Sequence, residues 1–596
     1  MPHPPGVLRA HRQRLSTWAA AVGLLLITTV GLAGTPSPAA HAAGATIVRL
    51  AGADRYATAA AVAAATFGPG VPVAFLATGQ NFPDALAGAA AAAHAGGPVL
   101  LVPPTGIPAE VATELRRLAP RRIVLLGGPA VLPEQIRTQA QQLTTGPVTR
   151  VAGTDRYATA VAVAEDFFSG PVPAVYLATG ASFADALAAS ASAGAAGDPV
   201  LLVPGNTLPA AVSAAITALE PRQIIIMGGP GAVSPGVEHA LDRMSTMVTR
   251  IAGADRYGTA TALAEQLYPS ATQVFLATGT SFPDALAGGV AAALAKAPLL
   301  LVPPSCLPDP AATEIGLLSP SQIVILGGTG AVPAVVASLT PCAAPAWLVA
   351  LNAYRGQYGA GPVTQSATLS GDDAAHVYYM AGSGDFSHVE NPASPYWTGI
   401  GARGGIESNL AVGAGVGVAA IDAWMTAPFH ALAMLDPAVA YVGYDAQAPY
   451  AALGLGLGTG APSVTWPLVW PSSTAPVRLL GYPGGEWPNP LSACPTSWTT
   501  RPVGLPLLVS YGPNATPITT ASATLTSGSV SLPVCVVDET SYTNPDPATQ
   551  ADARSLLAQN HSVVTIPLAP LAPGRTYRLS VTANGTTASS TFSTSS

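Results

Sequence analysis

Three near-copies of one segment constrain this chain more than any other feature: AGADRYATAAAVA from Ala51, AGTDRYATAVAVA from Ala152 and AGADRYGTATALA from Ala252. Asp54, Asp155 and Asp255 stand 101 and 100 residues apart, and a second set, Asp84, Asp185 and Asp284, stands 101 and 99 apart. The period holds across a domain-sized unit, so the chain must build one small fold three times over. Each copy runs in the same order: the Asp-Arg-Tyr segment, a Leu-Ala-Thr-Gly block (76–79, 177–180, 276–279), then Phe-Pro/Ala-Asp-Ala-Leu-Ala. An apolar run follows (98–103, 199–204, 298–303), and then a second one ending in Gly-Gly (123–128, 224–229, 323–328).

Short runs such as VAFLAT, PVLLV and RIVLLGG suit strands buried on both faces, and the Ala-rich or amphipathic segments between them, such as AEVATELRRLA, suit helices. The alternation gives an α/β class: three tandem modules, each with a parallel sheet covered on both sides. In such sheets ligands collect at the loops leaving the carboxyl ends of the strands. Asp54 and Asp84 fall just after a predicted strand and before an Ala-rich helix, where a carboxylate caps free backbone amides. A cap requires neither Arg55 nor Tyr56. Two roles stay open for the arginine, an ion pair with an aspartate across a repeat interface or contact with a ligand. No copy carries G-x-G-x-x-G or a P-loop, so the common nucleotide-binding motifs are excluded.

The start of the chain speaks to compartment. Arg9, Arg12 and Arg14 precede an apolar run from Trp18 to Leu32, and Ala40-His41-Ala42 closes a Pro- and Ala-rich stretch, the pattern of a signal peptide over 1–42. Past it no long apolar stretch offers a membrane span, and the C-terminal TTASSTFSTSS carries no sorting motif, so retention at a surface is expected to be noncovalent. Of the 596 residues 49% are hydrophobic and 9% charged, which excludes a disordered chain, and a formal charge of -7 removes an overall basic attraction to nucleic acid. The grouping of the four cysteines favours disulfides between Cys306 and Cys342 and between Cys494 and Cys535, suiting an exported protein.

The threefold R-x-x-G-x-D-R-Y-x-T, A-T-G-x-x-F-x-D-A-L-A and I-V-x-L-G-G pattern resembles the cell wall binding repeat type 2 family. The resemblance implies modules over 43–146, 147–246 and 247–344, packed about a pseudo-threefold axis and together holding an anionic secondary wall polymer. Arg49, Arg55, Arg150, Arg156, Arg250 and Arg256 recur at matching positions, and guanidinium groups there suit bidentate contact with phosphate or carboxylate. Three tethered weak sites would hold a repetitive polymer by avidity.

From about Pro345 the composition shifts. The order LNAYRGQYG, DAAHVYYM, FSHVE, SNLAVG, AWMTAPFHALAMLDP and VGY over 345–460 resembles the CAP superfamily of cysteine-rich secretory, antigen five and pathogenesis-related proteins. That implies an α-β-α sandwich with a surface cleft in which two His and two Glu can ligate a divalent metal, the one cofactor implied for this chain. His388 and His430 match the two histidines. Glu407 falls near the first acid, yet aligning Asn409-Leu410 with the family's Glu-Asn-Leu puts Ser408 at that position; where the second acid is expected stand Thr426 and Ala427. No catalytic residue is assigned.

The tail, 461–596, is rich in Pro, Thr and Ser, and alternates in the strand period, with Asn584-Gly585 as a hairpin turn; it resembles a small immunoglobulin-like β-sandwich. The whole reads as an exported surface protein, anchored to the wall by its repeats and displaying a CAP-like recognition domain. A wall hydrolase working through His388 and His430, or a surface-layer subunit, are the alternatives.

Overall fold

The computed structural model describes residues 44–244, 247–472, 475–498 and 502–596; the signal peptide expected over 1–42 lies outside them. Each apolar run forms a strand whose side chains are buried on both faces, and the strands make three four-stranded parallel sheets. In the first, the order is Val99–Val102, Ala74–Thr78, Ile123–Leu126, Val148–Val151. The second repeats it with Val200–Val203, Ala174–Thr179, Gln223–Met227 and Met247–Ile251.

The fourth strand of each sheet is thus the one that opens the next sequence repeat. The third sheet, Leu299–Val302, Gln273–Thr278 and Gln322–Leu326, takes its fourth strand from the start of the chain, Thr46–Leu50, with Arg49 opposite Ile325. The three modules close into a ring.

At its centre pack the Ala-rich helices Pro83–His94, Ala184–Ala196 and Pro283–Leu294, buried over nearly their whole length. Small side chains let the backbones approach: a Cβ added to Gly194 would stand 2.8 Å from Ala93 Cβ and 3.1 Å from Ala293 Cβ. Ser190 Oγ donates to Leu86 O on the neighbouring helix at 2.8 Å. The outer helices Arg55–Thr66, Arg156–Phe167 and Arg256–Leu267 begin as the sequence expects, with Asp54, Asp155 and Asp255 each accepting two backbone N–H groups. Each such cap is worth roughly 1 kcal/mol. Asp84, by contrast, is not the cap expected of it: it lies inside the first turn of Pro83–His94, which starts at Phe82 without a side-chain cap.

Beyond the ring a mixed sheet runs Thr364–Gln365, Val439–Val442, Tyr450–Leu457, Ser408–Val412, with Asp445–Gln447 paired on Tyr450–Leu457. Ala451 and Leu453 face the layer of Ala346–Tyr358, Val418–Thr426 and Pro428–Leu435, whereas Ala452 faces Ala367–Ser383 on the opposite side. This is the α-β-α sandwich the motif order implied. The tail forms two further four-stranded sheets with a helix, Pro547–Ala558, that the strand-like alternation did not announce. Asn584 at φ 48° and Gly585 at φ 82° make the expected two-residue turn. Both disulfides, Cys306–Cys342 and Cys494–Cys535, are formed.

The sandwich and the tail share one hydrophobic core, in which Trp470 is fully buried with its ring 6.1 Å from Tyr354, and Phe429 lies 5.8 Å from Tyr542. This body docks on the third repeat. Glu265 caps the helix Ala367–Ser383, accepting from Ala367 N at 2.9 Å, Thr368 N at 2.9 Å and Ser366 Oγ at 3.1 Å. Gly371 lets that helix sit against Ala252, since a Cβ there would come 1.9 Å from Ala252 O. Among the described residues no single helix is long and apolar enough to cross a membrane.

Candidate functional site

The six recurring arginines fall into two sets. Arg49, Arg150 and Arg250 lie on the exchanged strands and reach to the Gly-Gly turn of the preceding repeat, which follows the neighbouring strand of the same sheet. Arg49 donates to Gly327 O at 2.6 Å and Val332 O at 2.9 Å, and Arg150 to Gly127 O at 2.8 Å. Arg250 donates to Gly228 O at 2.7 Å and to Glu238 at 2.8 Å, its side chain fully buried. These guanidinium groups tie one repeat to the next.

Arg55, Arg156 and Arg256 open the outer helices at the carboxyl ends of the strands, half-buried or exposed. Each donates to a carbonyl of its own repeat, Gly79, Gly180 and Gly279 respectively. Each also faces the aspartate of the preceding repeat: Arg156 faces Asp84, Arg256 faces Asp185, and Arg55 faces Asp284 around the closed ring. Burial pushes all three carboxyls up, Asp185 to about 6, against the opposing pull of these arginines and of Thr159, Thr259 and Thr58. Beside them Phe82, Phe183 and Phe282 form a triangle with ring centroids 5.6, 5.9 and 6.2 Å apart. Arg156 lies 5.8 Å from the Phe82 ring and Arg256 lies 5.6 Å from that of Phe183. Each of these arginines thus acts electrostatically on an aspartate across the repeat junction, and stands at the strand ends where ligands collect in such sheets.

In the second half, His388, Glu407 and His430 line one cavity of about 380 Å³, together with Ser408 and Asn409. Glu407 ends the helix Gly399–Glu407, Ser408 and Asn409 open the strand Ser408–Val412, His430 lies on the helix Pro428–Leu435, and His388 comes from the loop after Ala367–Ser383. His388 Nδ1 is 2.7 Å from Gly405 O, an acceptor only, so that nitrogen carries the proton. His430 Nδ1 is held by Glu486 Oε1 at 3.0 Å, and the same oxygen accepts from Phe429 N at 2.8 Å and His430 N at 3.0 Å. Burial pushes the Glu486 carboxyl up, against the pull of His430. Neither Thr426 nor Ala427 supplies an acid, and the carboxylate that meets His430 is that of Glu486, from the tail. Ser408 donates to the buried Asp373, whose carboxyl burial raises to about 8. His376 is fully buried and paired with Glu390 at 3.0 Å, away from this cavity.

The metal implied by the family finds no matching donor set. Among the described residues no three His, Cys, Asp or Glu side chains are grouped to hold an ion, and Glu486 spends one oxygen on three N–H donors.

Two family models match the chain. Cell wall binding domain 2 matches residues 49–137, 150–238 and 250–337, and the cysteine-rich secretory protein family, CAP, matches 348–448. The chain carries three cell wall binding repeats followed by a CAP domain, and is a cell-wall-associated surface protein. It is 28% identical over 292 residues to the N-acetylmuramoyl-L-alanine amidase LytC of Bacillus subtilis, covering 49% of this chain and 57% of that protein. It is 29% identical over 260 residues to the amidase enhancer of the same organism, covering 44% of this chain and 35% of that one. It thus spans between about a third and just over half of these curated relatives. Cwp6 from Clostridium difficile aligns with a TM-score of 0.46 at 22% identity, covering 50% of this chain and 48% of that structure. Cwp8 from the same organism aligns at 0.44 and 24%, covering 49% and 51%.

Proposed function

We propose that this is an exported protein held noncovalently on the wall by its ring of repeats, which binds an anionic wall polymer, and that the ring displays the CAP cleft as a recognition site. The supporting observation is the recurrence of Arg55, Arg156 and Arg256 around one aromatic triangle, each leaning on an aspartate of the neighbouring module. We assign polymer contact to these three and give Arg49, Arg150 and Arg250 the scaffold role that their carbonyl bonds describe. A guanidinium anchored to a carbonyl through one nitrogen keeps further N–H donors in a fixed fork, which suits bidentate contact with phosphate or carboxylate. Three such forks on one rigid ring add their effects along a repetitive polymer.

The test is cosedimentation of the full chain with purified walls before and after their anionic polymers are stripped, beside a variant with Arg55, Arg156 and Arg256 all changed to Ala. Binding should fall with the polymer and in the triple variant, while circular dichroism shows the fold retained. Equal sedimentation with intact and stripped walls would reject the polymer.

A further inference from the structure

We infer that the cavity between the CAP module and the tail is a composite site for a neutral carbohydrate, completed by the tail. This deepens the recognition half of the reading above and does not depend on the polymer half. Neither module encloses the cavity alone. The CAP module contributes His388, Glu407 and His430, while Trp466, Trp487, Leu556 and Asn560 come from beyond residue 460. Its volume of about 380 Å³ falls within the range of roughly 300–1,000 Å³ usual for small-molecule sites.

The tail's contribution is built rather than incidental. Glu486 fixes the His430 ring from behind, using Nδ1 and leaving Nε2 as the ring's other hydrogen-bonding atom. Trp466 sits against Gly512, which has φ 102° and where a Cβ would come 2.8 Å from the indole, so the backbone there is kept bare to seat the ring. Trp487 keeps 44% of its surface exposed while lining the same cavity.

The lining chooses between ligand classes. A pyranose has an apolar C–H face, suited to an indole, and a rim of hydroxyls, suited to imidazole, carboxylate and amide partners. A fatty acyl chain would set a uniformly apolar surface against a lining that includes His388, Glu407, His430 and Asn560, displacing the water that solvates it without offering a hydrogen bond in return. An anionic ligand would meet the carboxylates of Glu407 and Asp436, both in the lining. A neutral sugar avoids both penalties, and a chain carrying wall-binding repeats works where glycan is at hand.

The experiment titrates the full chain with N,N′-diacetylchitobiose and maltose, with decanoate and glycerol phosphate as comparators, by calorimetry and tryptophan fluorescence. Saturable binding of at least one disaccharide is expected, with the fluorescence change lost in Trp466→Ala and affinity at least about tenfold weaker in both Trp466→Ala and Leu556→Trp. Leu556 is only half-buried, so the larger side chain fills the cavity without breaking a core. Cosedimentation of the same variants with walls reads anchorage separately. Saturation by decanoate or glycerol phosphate with no response to either sugar overturns the inference. So does sugar binding that survives both substitutions, or no sugar binding up to about 10 mM.

Discussion

Glu486 Oε1 lies 3.0 Å from His430 Nδ1 across 56 residues of sequence, and it also caps the helix Pro428–Leu435 through Phe429 N and His430 N. A single buried oxygen carries three hydrogen bonds. Glu486→Ala should therefore cost about 2–4 kcal/mol, since it strands two helix-end amides and an imidazole N–H in a buried place. Glu486→Gln keeps an acceptor at that position and should cost less. Calorimetric unfolding midpoints of the two variants check the order, and equal losses would contradict the cap.

That relationship also marks where reading the sequence stops. The repeats were legible because a hundred-residue period needs no tertiary knowledge, and the Asp54, Asp155 and Asp255 caps because capping is local. Glu486 follows two glycines in the tail, and no local pattern ties it to a histidine in another module. The strand exchange was hidden for a different reason. A periodic sequence reads the same wherever it is cut, so only the pairing of Thr46–Leu50 with Gln322–Leu326 tells which sheet each strand joins. Recurrence alone likewise cannot separate Arg250, buried against Glu238, from Arg256 at the surface.

The ring closure predicts a distant effect of the strand Thr46–Leu50. Arg49→Ala removes the hydrogen bonds to Gly327 O and Val332 O, 278 and 283 residues away. Amide exchange in Gln322–Leu326 should quicken, and Ile123–Leu126, the matching strand of the first sheet, should be unaffected. Hydrogen exchange with mass spectrometry resolves the two segments. Equal protection loss in both would mean that the ring opens as a whole.

Gly327 has φ 97°, and a Cβ added there would stand 2.2 Å from Asp284 Oδ2. The turn must be bare to admit the aspartate that faces Arg55. Gly327→Ala should destabilise the protein by about 2 kcal/mol or more, combining left-handed strain with a displaced carboxylate. Gly328→Ala is the control, since nothing lies within 4 Å of a Cβ there. A thermal midpoint for Gly327→Ala matching that control would count against the argument.

Buried acids set the pH dependence. Burial raises Asp373 and Glu390 to about 8 and Glu314, with the added charge of Glu265, to about 7. Unfolded carboxyls ionise near pH 4, so between roughly pH 4 and 8 the native state binds more protons and stability falls as pH rises. His376 acts oppositely: burial lowers it to about 4, so its contribution is present above about pH 6.5 and lost as pH falls below that. From about pH 6.5 to 8.5 only the acids act, and the unfolding temperature should drop across that window. Asp373→Asn, whose carbonyl can still accept from Gly454 N while its amide donates to Ser408 Oγ, should flatten the slope, and an unchanged slope would remove Asp373 from the account.

Glu265 predicts how the two halves are coupled. Its carboxylate comes from the third repeat and caps the CAP helix Ala367–Ser383 at three donors, beside the close contact of Gly371 with Ala252 O. A cap supplied by another module stabilises the helix only while the modules are docked, so the ring and the CAP body should unfold together. Glu265→Ala leaves Ser366 as a local cap through Leu369 N, so the helix survives while the docking weakens. Calorimetry should then show one transition splitting into two, with the higher-melting part unchanged. If the variant melts as a single transition at a lower temperature, the coupling runs through the apolar contacts of Ala252, Ala375 and Ile400 instead of through the carboxylate.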